Sequence, residues 1–290
     1  MTGDFRFGVN MTVPTSRTEW VEKCRKAEGL GFDVIGAADH LWMAPPFPAL
    51  VLAAEATERV RLNTFVLNAA FYNPVLLARE VTGTDLFIDG RLELGLGAGY
   101  IKEEFESTGM PWPSASKRID HLEHTVKELK RLYADPDHKP APVQQPGPPL
   151  LIAGRGDRLL TLAAEHAEII GFTGAAKVPD GGQLRAESAE GILERVEFVR
   201  GKLNGREAEL NVLTPRVVVT NDRAGTIEEA SKQIDGLTIE QIGEIPTFLC
   251  GTHEQMAEQI RANRERFGFT YLTVLEGTME SFAPVIELLK

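Results

Sequence analysis

Residues 74–99, with the sequence PVLLAREVTGTDLFIDGRLELGLGAG, contain one helix and one strand in the order that repeats along the chain. We predict a helix over Pro74–Phe87, because a proline in the first turn lacks only an N–H group that would have no partner there. Residues 91–96 then predict a short strand. Strands and helices in such alternation are typical of a parallel sheet covered by helices.

The same alternation extends in both directions from this stretch. Strands are predicted at residues 5–10, 32–38, 60–67, 150–153, 168–172, 211–220 and 271–275, and helices at 17–30, 49–57, 118–133, 158–166, 184–203, 253–266 and from 281 onward. A proline-rich segment occupies residues 136–149, and residues 174–183 are rich in glycine. Residues 221–247 are interpreted as irregular and polar.

About eight strands, each followed by a helix or an insertion, predict an α/β fold: a single (β/α)8 TIM barrel over residues 1–290, with insertion segments in the C-terminal half. The length of 290 residues suits a barrel, which needs about 250. No linker composition separates two domains, and residues 174–205 are the place where an extra subdomain could sit. A doubly wound open sheet would produce the same alternation and stays an alternative at this point.

The composition of the chain limits the classes of partner that the protein can bind. The formal net charge of -11 argues against nucleic-acid binding, which needs concentrated lysine and arginine. No apolar run approaches the roughly 20 residues that span a bilayer, and the N-terminus does not resemble an export signal. Cys24 and Cys250 lie far apart in sequence, which suits a reducing cytoplasm. We therefore expect a cytoplasmic protein that acts on a small molecule.

In a barrel of this kind the active site lies at the carboxyl ends of the strands. Asp39 and His40 end the second predicted strand. A histidine there can act as an acid or base near neutral pH, and the aspartate can accept hydrogen bonds from a ligand ring. The alternative is a simple turn with a capping aspartate and an exposed histidine. The third strand ends in Phe65, Val66, Leu67 and Asn68, which either lie beside a flat ring or line the barrel.

Two glycine-rich strand ends complete the candidate site. Gly97, Ala98 and Gly99 would let a ligand approach the backbone of the fourth strand closely. The fifth strand runs through Ala153, Gly154, Arg155, Gly156, Asp157 and Arg158 into a helix. A helix N-terminus with free N–H groups and nearby arginines suits a phosphate. The alternative is a tight loop capped by the aspartate, with two solvated arginines.

A metal site is not expected. His121 and His124 are three residues apart on a predicted helix, but further ligands are lacking, and a solvated helix face is the simpler interpretation.

Five runs of sequence, taken in order, resemble the luciferase-like monooxygenase superfamily. They are AEGLGFD (27–33), ADH (38–40), YNP (72–74), DGRLELGLGAG (89–99) and GRGDRLLTLAA (154–164). The resemblance covers the first 172 residues clearly and GTHEQ (251–255) more faintly. It implies a barrel with an insertion near the seventh strand, usually a homodimer, that binds FMN or the deazaflavin F420.

The resemblance also implies individual roles. Asp39 would contact the deazaflavin ring, and residues 65–68 would pack behind it, with a non-prolyl cis peptide at Phe65-Val66. His40 would take part in proton transfer. The glycine loop at 154–158 would hold the cofactor phosphate, and residues 97–99 would let the cofactor lie close to the fourth strand.

The ending Asp-His favours the F420-dependent branch, with one departure. F420-dependent glucose-6-phosphate dehydrogenases carry a catalytic glutamate where this chain has Tyr100, whose phenol is a poor base at neutral pH. Tyr100 stays a candidate catalytic residue, Glu103 or Glu104 is the candidate replacement for the glutamate, and Glu103 is also placed among the cofactor-binding residues. We therefore predict hydride transfer between F420 and a small organic substrate. An FMN-dependent monooxygenase, a non-catalytic flavin-binding barrel and an unrelated barrel hydrolase or isomerase are the alternatives.

Overall fold

Eight parallel strands close into one barrel in the computed structural model, which describes residues 4–176 and 185–290. The strands are β1 (Arg6–Met11), β2 (Val34–Ala37), β3 (Arg61–Thr64 and Leu67–Asn68), β4 (Leu92–Gly97), β5 (Leu150–Ala153), β6 (Ile169–Phe172), β7 (Glu209–Thr214) and β8 (Phe269–Leu275). Each strand pairs with its neighbours in chain order, and β8 pairs with β1. The predicted (β/α)8 barrel is confirmed, because an open doubly wound sheet would leave two unpaired edges.

Helices surround the barrel. They are α1 (Arg17–Gly29), α2 (Pro46–Ala56), α3 (Pro74–Phe87), α4 (Lys102–Ser107), α5 (Ala115–Tyr133), α6 (Asp157–His166), α7 (Ala189–Lys202), α8 (Arg223–Ser231), α9 (Ile239–Glu244), α10 (His253–Phe267) and α11 (Met279–Leu289). Local sequence fixes the start of α3: the side chain of Asn73 accepts hydrogen bonds from the N–H groups of Val75 and Leu76, so α3 begins at Pro74 as predicted. None of the helices in the described ranges combines the length and the apolar character that a bilayer crossing needs.

The main core lies between the barrel and the helices. Phe7 and Val9 of β1 are fully buried, and the ring of Phe7 meets that of Phe282 on α11 edge to face, 5.8 Å between centroids. A separate cluster inside the barrel includes Val34, Leu151 and Ile169. These two layers hold the strand ends, and therefore the candidate site, in fixed positions.

The C-terminal half departs from the prediction in two ways. Residues 189–202 form the barrel helix α7, so they are not part of an insertion. The irregular segment expected at 221–247 instead contains α8 and α9, and the predicted strand 211–220 is interrupted at Pro215. Its second part, Arg216–Val219, pairs in parallel with Phe248–Gly251 outside the barrel.

This small layer has its own apolar cluster, formed by Ala230, Ile242, Ile245, Phe248 and Cys250. Before it, Ala175–Ala176 pairs with Arg185–Ala186 in a short antiparallel hairpin. The rest of the glycine-rich stretch, residues 177–184, lies outside the described residues. Insertion segments do occupy the C-terminal half, but the larger one follows β7.

Candidate active site

Strand β3 carries a bulge at the carboxyl end of the barrel. Leu62 and Asn63 pair with Leu92 and Glu93, whereas Leu67 pairs with Leu96, so β3 uses one more residue than β4 over the same distance. The peptide bond Phe65-Val66 within the bulge is cis, as predicted.

Glycines on β4 make room for this bulge. A side chain at Gly95 would overlap the carbonyl oxygen of Thr64, and a Cβ at Gly97 would lie 2.9 Å from Cγ2 of Val66. The side chain of Val66 therefore covers the glycines of β4, and a flat ring stacked at this strand end would rest against Phe65 and Val66, both half-buried.

Asp39 and Asn68 form a polar edge beside the bulge. Oδ2 of Asp39 accepts a hydrogen bond of 2.9 Å from the N–H of Asn68, and the hydroxyl of Tyr72 contacts the same carboxylate. Burial raises the pKa of Asp39, and the negative charge of Glu104 raises it further, while the two hydrogen bonds act in the opposite direction. A carboxylate held in this way is available as a hydrogen-bond acceptor for a ligand.

Gly99 packs directly on the side chain of Asn68. Gly99 has a φ of +73°, and any Cβ there would overlap the carboxamide of Asn68. Oδ1 of that carboxamide accepts a hydrogen bond from the N–H of Ala70, whereas its buried Nδ2 has no partner within the described residues. A buried donor without a partner is costly, so it suits a ligand acceptor such as a ring carbonyl.

His40 lies at the mouth of the barrel with its ring held on three sides. Nδ1 is 3.0 Å from Oε1 of Glu104, a carboxylate only 4% exposed that also accepts the N–H of Leu41 at 3.1 Å. The indole of Trp42 stacks on the imidazole, with centroids 4.7 Å apart and planes 3° apart. The ring of Tyr100 meets it edge-on at 6.0 Å. These contacts fix the orientation of the ring and leave Nε2 without a hydrogen bond in the described part of the chain.

The structure shows which of the neighbouring residues Glu103 and Glu104 contacts His40. Glu104 points inward to His40, whereas Glu103 is exposed on the outer face of α4, because successive helical residues are about 100° apart. The interpretation of Glu103 as a cofactor ligand is therefore corrected. Tyr100 is 65% exposed, and partial desolvation of its hydroxyl together with the charge of Glu104 raises its pKa, so it is not a base at neutral pH.

The glycine loop after β5 presents an uncapped helix. Helix α6 begins at Asp157, and its N-cap residue is Gly156, which has no side chain to cap it. Asp157 does not cap the helix either; its carboxylate pairs with Arg195. A Cβ at Gly156 would meet nothing within 4 Å. The first N–H groups of α6 are thus accessible to an anion.

The two arginines expected to bind phosphate are paired elsewhere. Nε of Arg155 donates to Oε2 of Glu187 at 2.8 Å, and Arg158 bridges Asp120 and Glu123 of α5 at 2.5 and 3.1 Å. Their charges are therefore largely neutralised by carboxylates. The loop offers backbone N–H groups to a phosphate rather than free guanidinium groups, which corrects the expected contribution of both arginines.

A small cleft connects this loop with a larger cavity. The cleft is lined by Gly154, Arg155, Phe172, Glu187 and Arg195, among others. Thr173, Gly174 and Ala175 line both the cleft and a cavity of about 480 Å³ at the ends of β6 and β7. The other residues around this cavity are Arg185, Ala186, Pro215, Arg216, Gln233, Ile234, Asp235, Ile245, Thr247 and Phe248. Its volume suits a small organic molecule.

Several residues of this region have no signal in the sequence. Trp42 lies in a strand-end turn and Arg195 on a helix, and nothing in their spacing indicates contact with His40 or Asp157. Tyr72 belongs to the YNP run, but that run does not indicate its contact with Asp39. Asn10 and Asn63 were detectable, because polar side chains are unusual in buried strands. Both have a buried carboxamide oxygen without a partner in the described residues, close to Gly36.

Possible metal ligands do not cluster in the described residues. His121 was interpreted as part of a solvated helix face; instead its Nε2 bonds the carbonyl oxygens of Ala69 and Tyr72 at 3.0 and 3.1 Å. It therefore joins α5 to the segment after β3, while His124 is exposed.

Comparison with known families agrees with this geometry. Residues 4–242 match the family described as luciferase-like monooxygenase. The chain belongs to this family. Relatives with a similar sequence are named as monooxygenases or dehydrogenases.

Individual relatives include users of two different cofactors. The oxygenase component of flavin-dependent trigonelline monooxygenase from Acinetobacter baylyi is 33% identical over 47% of this chain and 43% of its own length. The chain thus spans less than half of that relative. The F420-dependent glucose-6-phosphate dehydrogenase of Kribbella flavida is 27% identical over 88% of this chain and 86% of its own length.

A solved structure extends the likeness in fold. An F420-dependent secondary alcohol dehydrogenase, in complex with an F420-acetone adduct, superposes with a TM-score of 0.74 at 18% identity. The match covers 99% of this chain and 98% of that one. At this level of identity the likeness concerns the barrel alone.

Proposed function

We propose that the protein is an F420-dependent oxidoreductase that transfers a hydride between the deazaflavin and a small organic substrate. The observation that carries the proposal is the arrangement at the barrel mouth: a bulge at Phe65 and Val66, a polar edge at Asp39 and Asn68, and His40 beside it. The length over which the chain matches the Kribbella flavida dehydrogenase supports the choice of F420.

The residues present fit a ring system and a phosphate. The unpartnered Nδ2 of Asn68 suits a carbonyl on the edge of the ring, and the half-buried side chains of Phe65 and Val66 offer its face a surface. The close approach of a ligand to Gly97 and Gly99 is not part of this proposal, because Val66 and Asn68 fill the space beside them. The uncapped start of α6 at Gly156 suits the phosphate. When bound, F420 would supply the hydride acceptor or donor, while this chain orients it and moves a proton at His40.

The substrate would lie between this cofactor site and the cavity at the ends of β6 and β7. Arg185, Arg216 and Asp235 give that cavity charges of both signs. Thr173 and Gly174 connect it to the cleft beside the phosphate loop. A substrate with polar or charged groups is therefore favoured over a long hydrocarbon.

An FMN-dependent monooxygenase is the second candidate, because FMN offers its phosphate to the same helix end and relatives of that kind occur. A fluorescence titration of the purified protein with F420, and separately with FMN, distinguishes the two. We expect micromolar binding of F420 and much weaker binding of FMN. A preference for FMN would assign the protein to the monooxygenases, and binding of neither would contradict both functions.

We also propose a homodimer formed through α3. Val75, Leu76, Leu86 and Phe87 are exposed and lie on one face of this helix, since a separation of eleven residues is about three full turns; Phe87 is 70% exposed. Light scattering after gel filtration should give twice the chain mass of 31.9 kDa, and Phe87→Glu should shift it to the monomer. A monomeric wild-type protein would contradict the dimer.

A further inference from the structure

We infer that Glu104 is a positioning residue that holds the neutral imidazole of His40 with its proton on Nδ1, which leaves Nε2 as the atom that exchanges a proton with the substrate. The destination of that proton rests on the proposed function. The tautomer itself is a property of the protein without cofactor.

The hydrogen bonds around Glu104 determine the tautomer. Its Oε1 accepts the N–H of Leu41, which can only donate, and lies 3.0 Å from Nδ1 of His40. An ionised carboxylate only accepts hydrogen bonds, so Nδ1 must carry a proton to bond it. In the neutral ring Nε2 then has a lone pair.

The neighbouring rings keep this orientation. Trp42 covers one face of the imidazole, and the edge contact of Tyr100 restricts its rotation. Residues 4–176 and 185–290 place no hydrogen-bonding group on Nε2 of His40. This nitrogen is the one part of the ring that a ligand could engage.

Two other histidines show the contrast. Nε2 of His121 bonds two backbone carbonyl oxygens, and Nε2 of His253 lies 3.2 Å from the carbonyl oxygen of Ser281. In both histidines a backbone carbonyl oxygen bonds Nε2, whereas Nε2 of His40 has no hydrogen-bond partner in the described residues. The arrangement at His40 therefore fits proton transfer rather than structural support.

Proton transfer through Nε2 balances an alcohol oxidation. F420, when bound, would supply the acceptor for the hydride of the alcohol C–H bond. Nε2 of His40 would take the hydroxyl proton, and the electron pair of the broken O–H bond would form the second carbon–oxygen bond. Glu104 stabilises the resulting imidazolium through Nδ1. For reduction of a carbonyl group the same steps run in reverse.

Nitrogen NMR of the protein without cofactor, labelled with ¹⁵N-histidine, tests the inference. His40→Gln identifies the His40 signals among the six histidines. In the wild type, at a pH where the ring is neutral, we expect a protonated Nδ1 and an unprotonated Nε2. Glu104→Gln keeps an acceptor of the same size but removes the charge, so the ratio of the Nδ1–H to the Nε2–H tautomer should fall about ten-fold.

Glu106→Gln is the matched control, because Glu106 lies on the same helix but is exposed and paired with Lys102. It should leave the His40 signals unchanged. A wild-type His40 protonated mainly on Nε2, or a Glu104→Gln spectrum identical to the wild type, would overturn the inference. If Glu104→Gln fails to fold, the wild-type tautomer alone decides. Failure of F420 to bind in the titration would overturn the proposed function but not this result.

Discussion

At the amino-terminal end of the barrel, Arg6 lies between Glu93 and Glu209, whereas at the carboxyl end Asp39 has no cationic partner among the described residues. Glu93 also accepts a 2.6 Å hydrogen bond from Nε of Arg61. Burial lowers the pKa of Arg6, but these two carboxylates raise it by more. Burial also raises the pKa of Glu209, and Oε2 of Glu93 has no partner in the described residues, so pairing with Arg6 and Arg61 offsets the effect of burial only in part.

The carboxyl end differs because its carboxylate, Asp39, has no arginine partner within residues 4–176 and 185–290. Burial raises the pKa of Asp39, Nδ2 of Asn68 has no partner in the described part of the chain, and α6 starts without a side-chain cap. Unsatisfied groups of this kind reduce stability unless a ligand satisfies them. In barrels of this kind the amino-terminal end maintains the fold and the carboxyl end binds the ligand, and we propose the same division for this chain.

The largest effect, on the free energy of unfolding, is expected from Glu93→Gln at the amino-terminal end of the barrel. Removing this buried charge leaves Arg61 without its carboxylate and Arg6 with only one, so the free energy of unfolding should fall by about 3 kcal/mol. Urea unfolding measures it. Glu128→Gln removes only an exposed pair with Arg131 and should change the same quantity by less than about 0.5 kcal/mol. Equal effects of the two variants would break the assignment of this end to stability.

The second-largest effect is expected on cofactor affinity, from a change in the glycine loop at residues 154–158. Gly156→Val places a side chain into open space at the start of α6 without touching another residue, so it should weaken F420 binding about ten-fold or more, the equivalent of about 1.4 kcal/mol. Its effect on unfolding should stay below about 1 kcal/mol. Gly201→Val on α7, where a Cβ also meets nothing, is the control for affinity. An unchanged dissociation constant in the F420 titration would exclude this loop as the phosphate site.

The smallest effect is expected from Asp39→Asn, which should raise the free energy of unfolding rather than lower it. Below its ordinary pKa of 3.8 the carboxyl group is neutral in the folded and unfolded states. Above that value the unfolded state ionises first, so the wild type loses stability until the pH passes the raised folded pKa. The variant has no carboxyl group to ionise at this position, so it does not lose this stability.

The stability of Asp39→Asn relative to the wild type should therefore increase with pH above 3.8 and then become constant. Urea unfolding across this range measures it, and an increase accompanied by weaker F420 binding would connect the unfavourable ionisation to ligand binding. A difference that stays constant or falls with pH would show that Asp39 is not destabilised in the folded protein.

Much of the fold was predictable because its signals are local. Helix α3 begins after Asn73 and strand β5 spans Leu150–Ala153 as predicted, since a capping residue, a proline and an apolar run each act within a few residues. The structure of residues 216–251 was not predictable in this way, because the strand Arg216–Val219 pairs with a strand that begins about thirty residues later. Pairings of that kind depend on which surfaces the rest of the chain leaves uncovered.

By itself, the sequence determined the alternation of strands and helices, the strand ends that carry Asp39 and His40, and the glycine loop that leads into α6, where Gly156 leaves the helix start uncapped. Only the tertiary structure decided that Glu104 rather than Glu103 meets His40, and that Arg155 and Arg158 are already paired with carboxylates. The physical reason is distance along the chain. Backbone conformation responds to adjacent residues, whereas the satisfaction of a charge depends on groups that only the closed barrel brings together.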